Sequence, residues 1–262
     1  MPFWWHSVNV GENVTTPGHK TPALLTAELE SLRLPSLDGK SVLDIGAWDG
    51  FFSFAAEKRG AAKVTAVDHF VWSMDLREHM RYFEDCAARG ISPEPYETMP
   101  YYKPTELPGK RGFDTARELL GSKVESVVAD FMTSDLKTIG TSDVVLFLGV
   151  LYHMKHPLLA LERLAQLTRE VAIIETEAVS LPGLDDHALC EYFEKGELNH
   201  DISNWWAPNE KALVGMCRTA GFRHVTVTKS PPALSPWANR ALPWALVGKR
   251  INRYRAVVQA WK

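Results

Sequence analysis

Apolar positions along the chain fall into two kinds of run. Short blocks rich in β-branched residues occur at Ser41–Ile45, Lys63–Val67, Val124–Ala129, Asp143–Leu148, Glu170–Glu175, Phe222–Thr228 and about Tyr254–Trp261. Each predicts a strand buried in a sheet. Between them apolar residues recur at helical spacing, over Phe51–Arg59, over Asp114–Leu120, from Pro157 through Leu158, Leu159, Leu161, Leu164 and Leu167, and over Glu210–Ala220. Gly121 and Gly221 follow two of these helices as predicted C-caps. Ahead of the first strand, Thr21 is the predicted N-cap of a helix over Pro22–Leu32, with Pro at its first position. Strands alternating with helices predict an α/β fold with a doubly wound, seven-stranded sheet. The final hairpin makes the C-terminal strand antiparallel.

Three segments break this rhythm. Residues 1–38 form an N-terminal cap whose first twenty are loop-like and aromatic, with Trp4, Trp5, His6 and His19. Residues 69–111 exceed the connections of simple doubly wound units and read as an insertion. They hold Trp72, a charged helix-like run over Met74–Arg89, and a loop with Tyr96, Tyr101 and Tyr102. Residues 176–207 are a second insertion, with Glu191, Glu194, His200, Asn204, Trp205 and Trp206. A Pro- and Trp-rich stretch, Ser230–Gly248, leads to the last strand. All 262 residues are read as one domain, with the two insertions near the active site as a lid.

Composition narrows the partners. The net charge of −3 creates no demand for a nucleic acid or a membrane. Ten Lys and Arg follow Glu210, the last acidic residue, and leave a basic C-terminal part. Three cysteines without a C-x-x-C suggest neither a disulfide framework nor a zinc ribbon. His153-x-x-His156 and Asp185-Asp186-His187 are not diagnostic of a metal, and Pro157 opposes a helical pair at the first, so no metal is assigned. The chain begins without a basic segment followed by an apolar one, and no apolar run reaches membrane-spanning length. A cytoplasmic protein with no membrane partner is expected. The oligomeric state is not legible.

The chemistry concentrates in Val42–Asp68, read as V-L-D-I-G-A-W-D-G-F-F-S-F-A-A-E-K-R-G-A-A-K-V-T-A-V-D. A strand, a glycine turn, a helix and a second strand ending in an acid build a nucleoside pocket. Gly46 and Gly50 let the backbone approach a ligand, and the helix start presents free N–H groups. Asp68, 22 residues after Gly46, is placed to accept both ribose hydroxyls. A dinucleotide turn would read G-x-G-x-x-G. Here Trp48 stands at the middle glycine and Asp44 at the strand end, and both oppose a pyrophosphate. They suit a ligand with an α-amino group and a sulfonium, which is S-adenosylmethionine. The motif resembles that of the class I, Rossmann-like methyltransferase family, whose first motif is an acid followed by G-x-G-x-G. The cofactor residues this implies are Asp44, Gly46, Ala47, Trp48, Gly50, Asp68 and His69. At later strand ends, Asp130-Phe131 would hold the adenine, and Gly149, opening G-V-L-Y-H-M-K-H-P, would face the methyl group.

The stretches L-F-L-G-V-L-Y-H-M-K-H-P-L, I-I-E-T-E and W-W-A-P-N-E-K-A-L…A-G-F resemble the tRNA wobble-uridine methyltransferase family, which makes the 5-oxyacetic acid or methoxy modification. The resemblance runs from about Lys40 to Thr228, with a weaker echo at Tyr254–Lys262. It implies that Tyr152 and Arg255 help hold the carboxylate of a carboxylated donor. That family also uses an N-terminal lysine, and His6 stands near its place here. The W-x-H…T-P-G opening is more similar to a branch that uses ordinary S-adenosylmethionine on small molecules.

Transfer to a hydroxyl needs a base poised near neutral pH. His153 is the first candidate, with Tyr152 beside it. His6 is a second, and His19 and His200 are further rivals. An equally plain role for His153 is to orient the loop after the fourth strand. Trp5, Trp72, Tyr102, Trp205 and Arg255 are candidate substrate contacts, the aromatics as walls for a planar or sugar ligand. The sequence reading is an S-adenosylmethionine-dependent O-methyltransferase acting on a small metabolite. Modification of a tRNA wobble uridine is the runner-up, with RNA as its partner. A nicotinamide oxidoreductase and a non-catalytic binding protein are the rivals from other classes.

Overall fold

The computed structural model describes residues 2–11, 14–181, 183–199, 201–231 and 251–262. His200, and the stretch read at Ser230–Gly248 from Pro232 on, lie outside these. The chain divides into two compact units, Met1–Glu30 with Leu34–Leu146, and Ser31–Arg33 with Phe147–Lys262.

In the first unit, strands β1 (Asn9–Gly11) and β2 (Val14–Thr15) pair as a small antiparallel hairpin, inside the segment expected to be loop. Helix α1 (Pro22–Ser31) follows at the place expected. Then β3 (Ser41–Ile45), α2 (Phe51–Lys58) and β4 (Lys63–Asp68) form the strand–helix–strand unit, with β3 and β4 parallel from Ser41↔Lys63 to Ile45↔Val67. Val42, Leu43 and Ile45 are all buried, as a strand covered on both faces requires. Helix α3 (Leu76–Arg89) has Asp75 as N-cap, accepting from the Glu78 N–H at 3.3 Å, and Gly90 as its left-handed C-cap. Helix α4 begins at Arg111, not Asp114, and ends at Leu119. Strand β5 (Glu125–Val128) lies parallel to β4, a short helix α5 (Leu136–Ile139) follows, and β6 (Ser142–Leu148) completes the series.

The second unit holds α6 (Pro157–Leu167), β7 (Thr168–Ser180), β8 (Cys190–Tyr192), β9 (Trp206–Pro208), α7 (Glu210–Thr219), β10 (His224–Lys229) and β11 (Asn252–Trp261). β7 runs to Ser180, five residues into the expected insertion. The cause is β11, whose whole length pairs antiparallel with it, from Asn252↔Ser180 to Trp261↔Val171. The seven-stranded mixed sheet has the order β10-β11-β7-β6-β3-β4-β5. Antiparallel β11 sits between β10 and β7, the Rossmann-like arrangement expected. Among the described residues no helix is long and apolar enough to cross a membrane.

Candidate active site

The turn after β3 is built from three left-handed backbone conformations, two of them met by glycine and one by Trp48. Gly46 and Gly50 have φ of 80° and 85°, and Trp48 has φ of 51°, which few non-glycine residues adopt. Two contacts hold Trp48 there. Its N–H donates to Asp68 Oδ2 at 3.0 Å, and its carbonyl accepts from the Trp72 indole at 2.6 Å. Trp72, expected among the substrate contacts, is fully buried against Phe113 and under Lys110 Nζ. It is a brace for the turn.

Both acids of the motif are buried. Asp44 accepts from Ser53 Oγ at 2.6 Å, and Asp68 also accepts from the Val71 N–H at 3.1 Å. Burial pushes each carboxyl up to about 6, against the hydrogen bonds that favour its charge. Asp68 therefore orders the turn as well as ending β4. Asp130 uses its carboxylate to accept from the Met132 N–H at 2.7 Å, and Phe131 beside it is buried.

The N-terminal segment is clamped to the same turn through Asp49, which went unremarked in the sequence because it is the unspecified position between Trp48 and Gly50. Its Oδ2 accepts from the Trp5 and His6 N–H groups at 2.9 and 2.8 Å, and Oδ1 pairs with His6 Nδ1. The His6 ring lies among Trp48, Phe51 and Phe52, and Trp5 stacks on Trp48 with centroids 5.0 Å apart. So Trp5, His6, Trp48 and Asp68 are brought together. Tyr102 reaches His69, edge to face at 6.3 Å, and Tyr101 is buried with Met74 and Leu76 in a cluster that packs on Trp48. A cleft of about 290 Å³ is lined by Pro2, Phe3, Trp4, Pro17, His19 and Arg77; of these only His19 is a candidate, as a rival base.

In the second unit Gly149, with φ of 73°, opens a turn over Leu151–His153. A Cβ at Gly149 would lie 3.2 Å from the Arg255 guanidinium and 3.6 Å from the Tyr152 hydroxyl. Arg255 packs on the Tyr152 ring at 4.8 Å, so these two candidates meet. Its charge is already spent. Glu175 grips it through two nitrogens and Glu177 accepts at 3.2 Å. These carboxylates are the two acids of I-I-E-T-E, which share one face of β7 by strand alternation. Burial raises the Tyr152 hydroxyl, and Arg255 partly offsets this.

His153 Nδ1 lies 3.1 Å from the Ser203 carbonyl and 2.9 Å from Ser203 Oγ. Ser203 Oγ and N–H both donate to Asp201 Oδ1, at 2.7 and 2.8 Å. Burial lowers the His153 pKa while Asp201 works to raise it. The Trp205 N–H donates to the Tyr152 carbonyl at 2.8 Å, and Lys155 Nζ sits 5.0 Å over the Trp205 ring. Among the described residues no three His, Cys, Asp or Glu side chains gather as a metal would require.

A family model described as a methyltransferase domain matches residues 18–227. The chain belongs to this methyltransferase family. It is an enzyme of methyl transfer. The N-terminal domain of EvdMO1, solved with SAH and D-fucose, is similar in structure at a TM-score of 0.58 and 17% identity, over 98% of this chain and 91% of that one. A putative O-methyltransferase from Nostoc punctiforme PCC 73102 gives a TM-score of 0.50 and 15% identity, over 91% and 56%. No curated protein matches the chain in sequence. The likenesses carry the fold. The fit to the donor rests on the site: Trp48 Nε1 is buried without a partner among the described residues, in the turn between two strands whose acids Asp44 and Asp68 are also buried. Such a place suits a ligand that brings hydrogen-bond acceptors, hydroxyl donors and positive charge.

Proposed function

We propose that the enzyme transfers the methyl group of ordinary S-adenosylmethionine to a hydroxyl oxygen of a small, uncharged metabolite. The observation that carries this reading is the cancelled charge of Arg255. A carboxylated donor or an RNA phosphate needs a free cation, and here two glutamates outnumber the one arginine. A third negative group would meet repulsion.

The donor supplies a methyl carbon activated by its sulfonium. The chain's own residues do the rest. Asp44, Gly46, Ala47, Trp48, Gly50, Asp68 and His69 would hold the donor, with Asp130, Phe131 and Gly149. His153 takes the proton of the acceptor hydroxyl, and Tyr152 orients the acceptor. Trp5, Tyr102 and Trp205 supply aromatic walls, and His6 holds Trp5 in place through Asp49. The O-methyltransferase and the D-fucose complex among the structural relatives agree with a small hydroxylated acceptor.

One observation favours the tRNA reading, since Tyr152 and Arg255 do lie together as that resemblance implied. Calorimetric titration separates the two. S-adenosylmethionine and S-adenosylhomocysteine should bind, carboxy-S-adenosylmethionine should bind at least tenfold more weakly, and NAD should not bind. Tighter binding of the carboxylated donor would overturn the small-molecule reading.

A further inference from the structure

The loop carrying Asp201 and Ser203 does more than pack against His153; its hydrogen-bond directions determine where the imidazole proton sits. A serine hydroxyl has one proton, and that of Ser203 is committed to Asp201 Oδ1 at 2.7 Å. Toward His153 the same oxygen is therefore an acceptor. The Ser203 carbonyl, the other atom near Nδ1, is an acceptor by nature. Two acceptors at 2.9 and 3.1 Å from one ring nitrogen require a proton on it. The ring has one proton when neutral, so Nε2 keeps its lone pair.

We propose that Asp201 and Ser203 are positioning residues that fix His153 with its proton on Nδ1, leaving Nε2 as the base of the transfer. This rests on the reading of His153 as the proton acceptor. The loop is held for the task. The Trp205 N–H donates to the Tyr152 carbonyl, the Trp206 indole donates to the Lys155 carbonyl at 3.3 Å, and the Ser203 N–H fixes the Asp201 carboxylate. The charges around the imidazole are Asp201 from its own side and Arg255 from β11, the latter offset by Glu175 and Glu177 of β7; Tyr152 touches the ring at 4.2 Å. Asp201 thus makes Nε2 more basic than burial alone would leave it. As the proton moves from an acceptor hydroxyl to Nε2, the imidazolium that forms has both N–H groups occupied and its charge faced by Asp201.

The test has an arm that needs no substrate. With ¹⁵N-histidine in the ligand-free protein, His153 should show a protonated Nδ1 and an unprotonated Nε2 at neutral pH. The opposite tautomer overturns the proposal. The second arm is the pH profile of kcat/KM. Wild type should lose activity as pH falls and Nε2 takes up a proton. Asp201→Asn removes the charge that raises His153, so the acidic limb should move to lower pH while the plateau falls on the order of tenfold. Ser203→Ala should lower kcat by a similar factor with little change in KM, and Ser203→Thr, which keeps the hydroxyl, should restore it. An acidic limb that Asp201→Asn leaves in place overturns the proposal. If the tautomer is as stated but His153→Gln turns over normally, the base reading itself fails, independently of any failure to bind the donor.

Discussion

At the scale of single residues, the site trades stability for chemistry. The Asp44 carboxyl is pushed up to about 6 by burial, above the roughly 3.9 of an unfolded chain. A group raised in this way contributes stability that is complete below the unfolded value and lost as pH rises through about 6. Ionised at neutral pH, it costs the fold on the order of 2–3 kcal/mol. Asp44→Asn keeps an acceptor for Ser53 Oγ and removes the charge. Urea denaturation of the ligand-free protein should find this variant more stable than wild type by that order at pH 7.5, with the difference vanishing toward pH 4. A difference independent of pH would refute the burial account. Donor affinity should fall in the same variant. Asp68 differs, because its two oxygens meet two backbone N–H groups that an amide would not satisfy. Asp68→Ala loses both the acceptor expected for the ribose and the hold on Trp48. Calorimetry should show donor binding weakened at least a hundredfold; unchanged affinity would remove Asp68 from the site.

At the scale of elements, the β3–α2 turn is the part whose geometry tolerates least. Gly50 has φ of 85°, and a Cβ there would stand 2.6 Å from the buried Phe54 ring and 2.7 Å from that of Phe113. Gly50→Ala adds the left-handed penalty of about 1–2 kcal/mol to an overpacking cost of about 1–3. The variant should lose roughly 2–5 kcal/mol in urea denaturation and bind the donor poorly; wild-type stability would mean that the turn relaxes freely. This element was legible because its glycines, its acids and the periods on either side agree. β7 was legible only in its first half. Its remaining residues, Thr176–Ser180, are strand because distant β11 pairs with them, which no local pattern records. Trp72 was misplaced for a similar reason, since a tryptophan in an insertion reads alike whether it lines a pocket or braces a turn. The Asp201–Ser203–His153 chain was invisible because its members are 50 residues apart and its meaning lies in hydrogen-bond direction.

At the scale of the molecule, charge separates the two acceptors that remain in contention. The ten basic residues after Glu210 suggested a surface for RNA, yet several are consumed within the fold. Arg255 is held by Glu175 and Glu177, Arg253 by Glu191 at 2.6 Å, Lys211 reaches the Asp186 carbonyl, and Lys262 lies over Phe222. Elsewhere Lys20, Lys63, Arg89, Lys103 and Lys110 pair with Glu28, Glu125, Asp85, Glu78 and Asp114. Surface pairs of this kind add little stability, but the carboxylate in each weakens the field its cation would offer a phosphate. With a net charge of −3, the chain lacks the surplus that counterion release from RNA would reward. Filter binding with bulk transfer RNA at physiological salt should therefore show affinity no tighter than the roughly 1–100 μM of non-specific contact. Tight binding that falls steeply as salt is added would mean that the unpaired cations converge on one face, and would return the wobble uridine to first place as the acceptor. Weak binding at every salt concentration leaves a small hydroxylated molecule, whose recognition falls to the aromatic walls and to the His153 base.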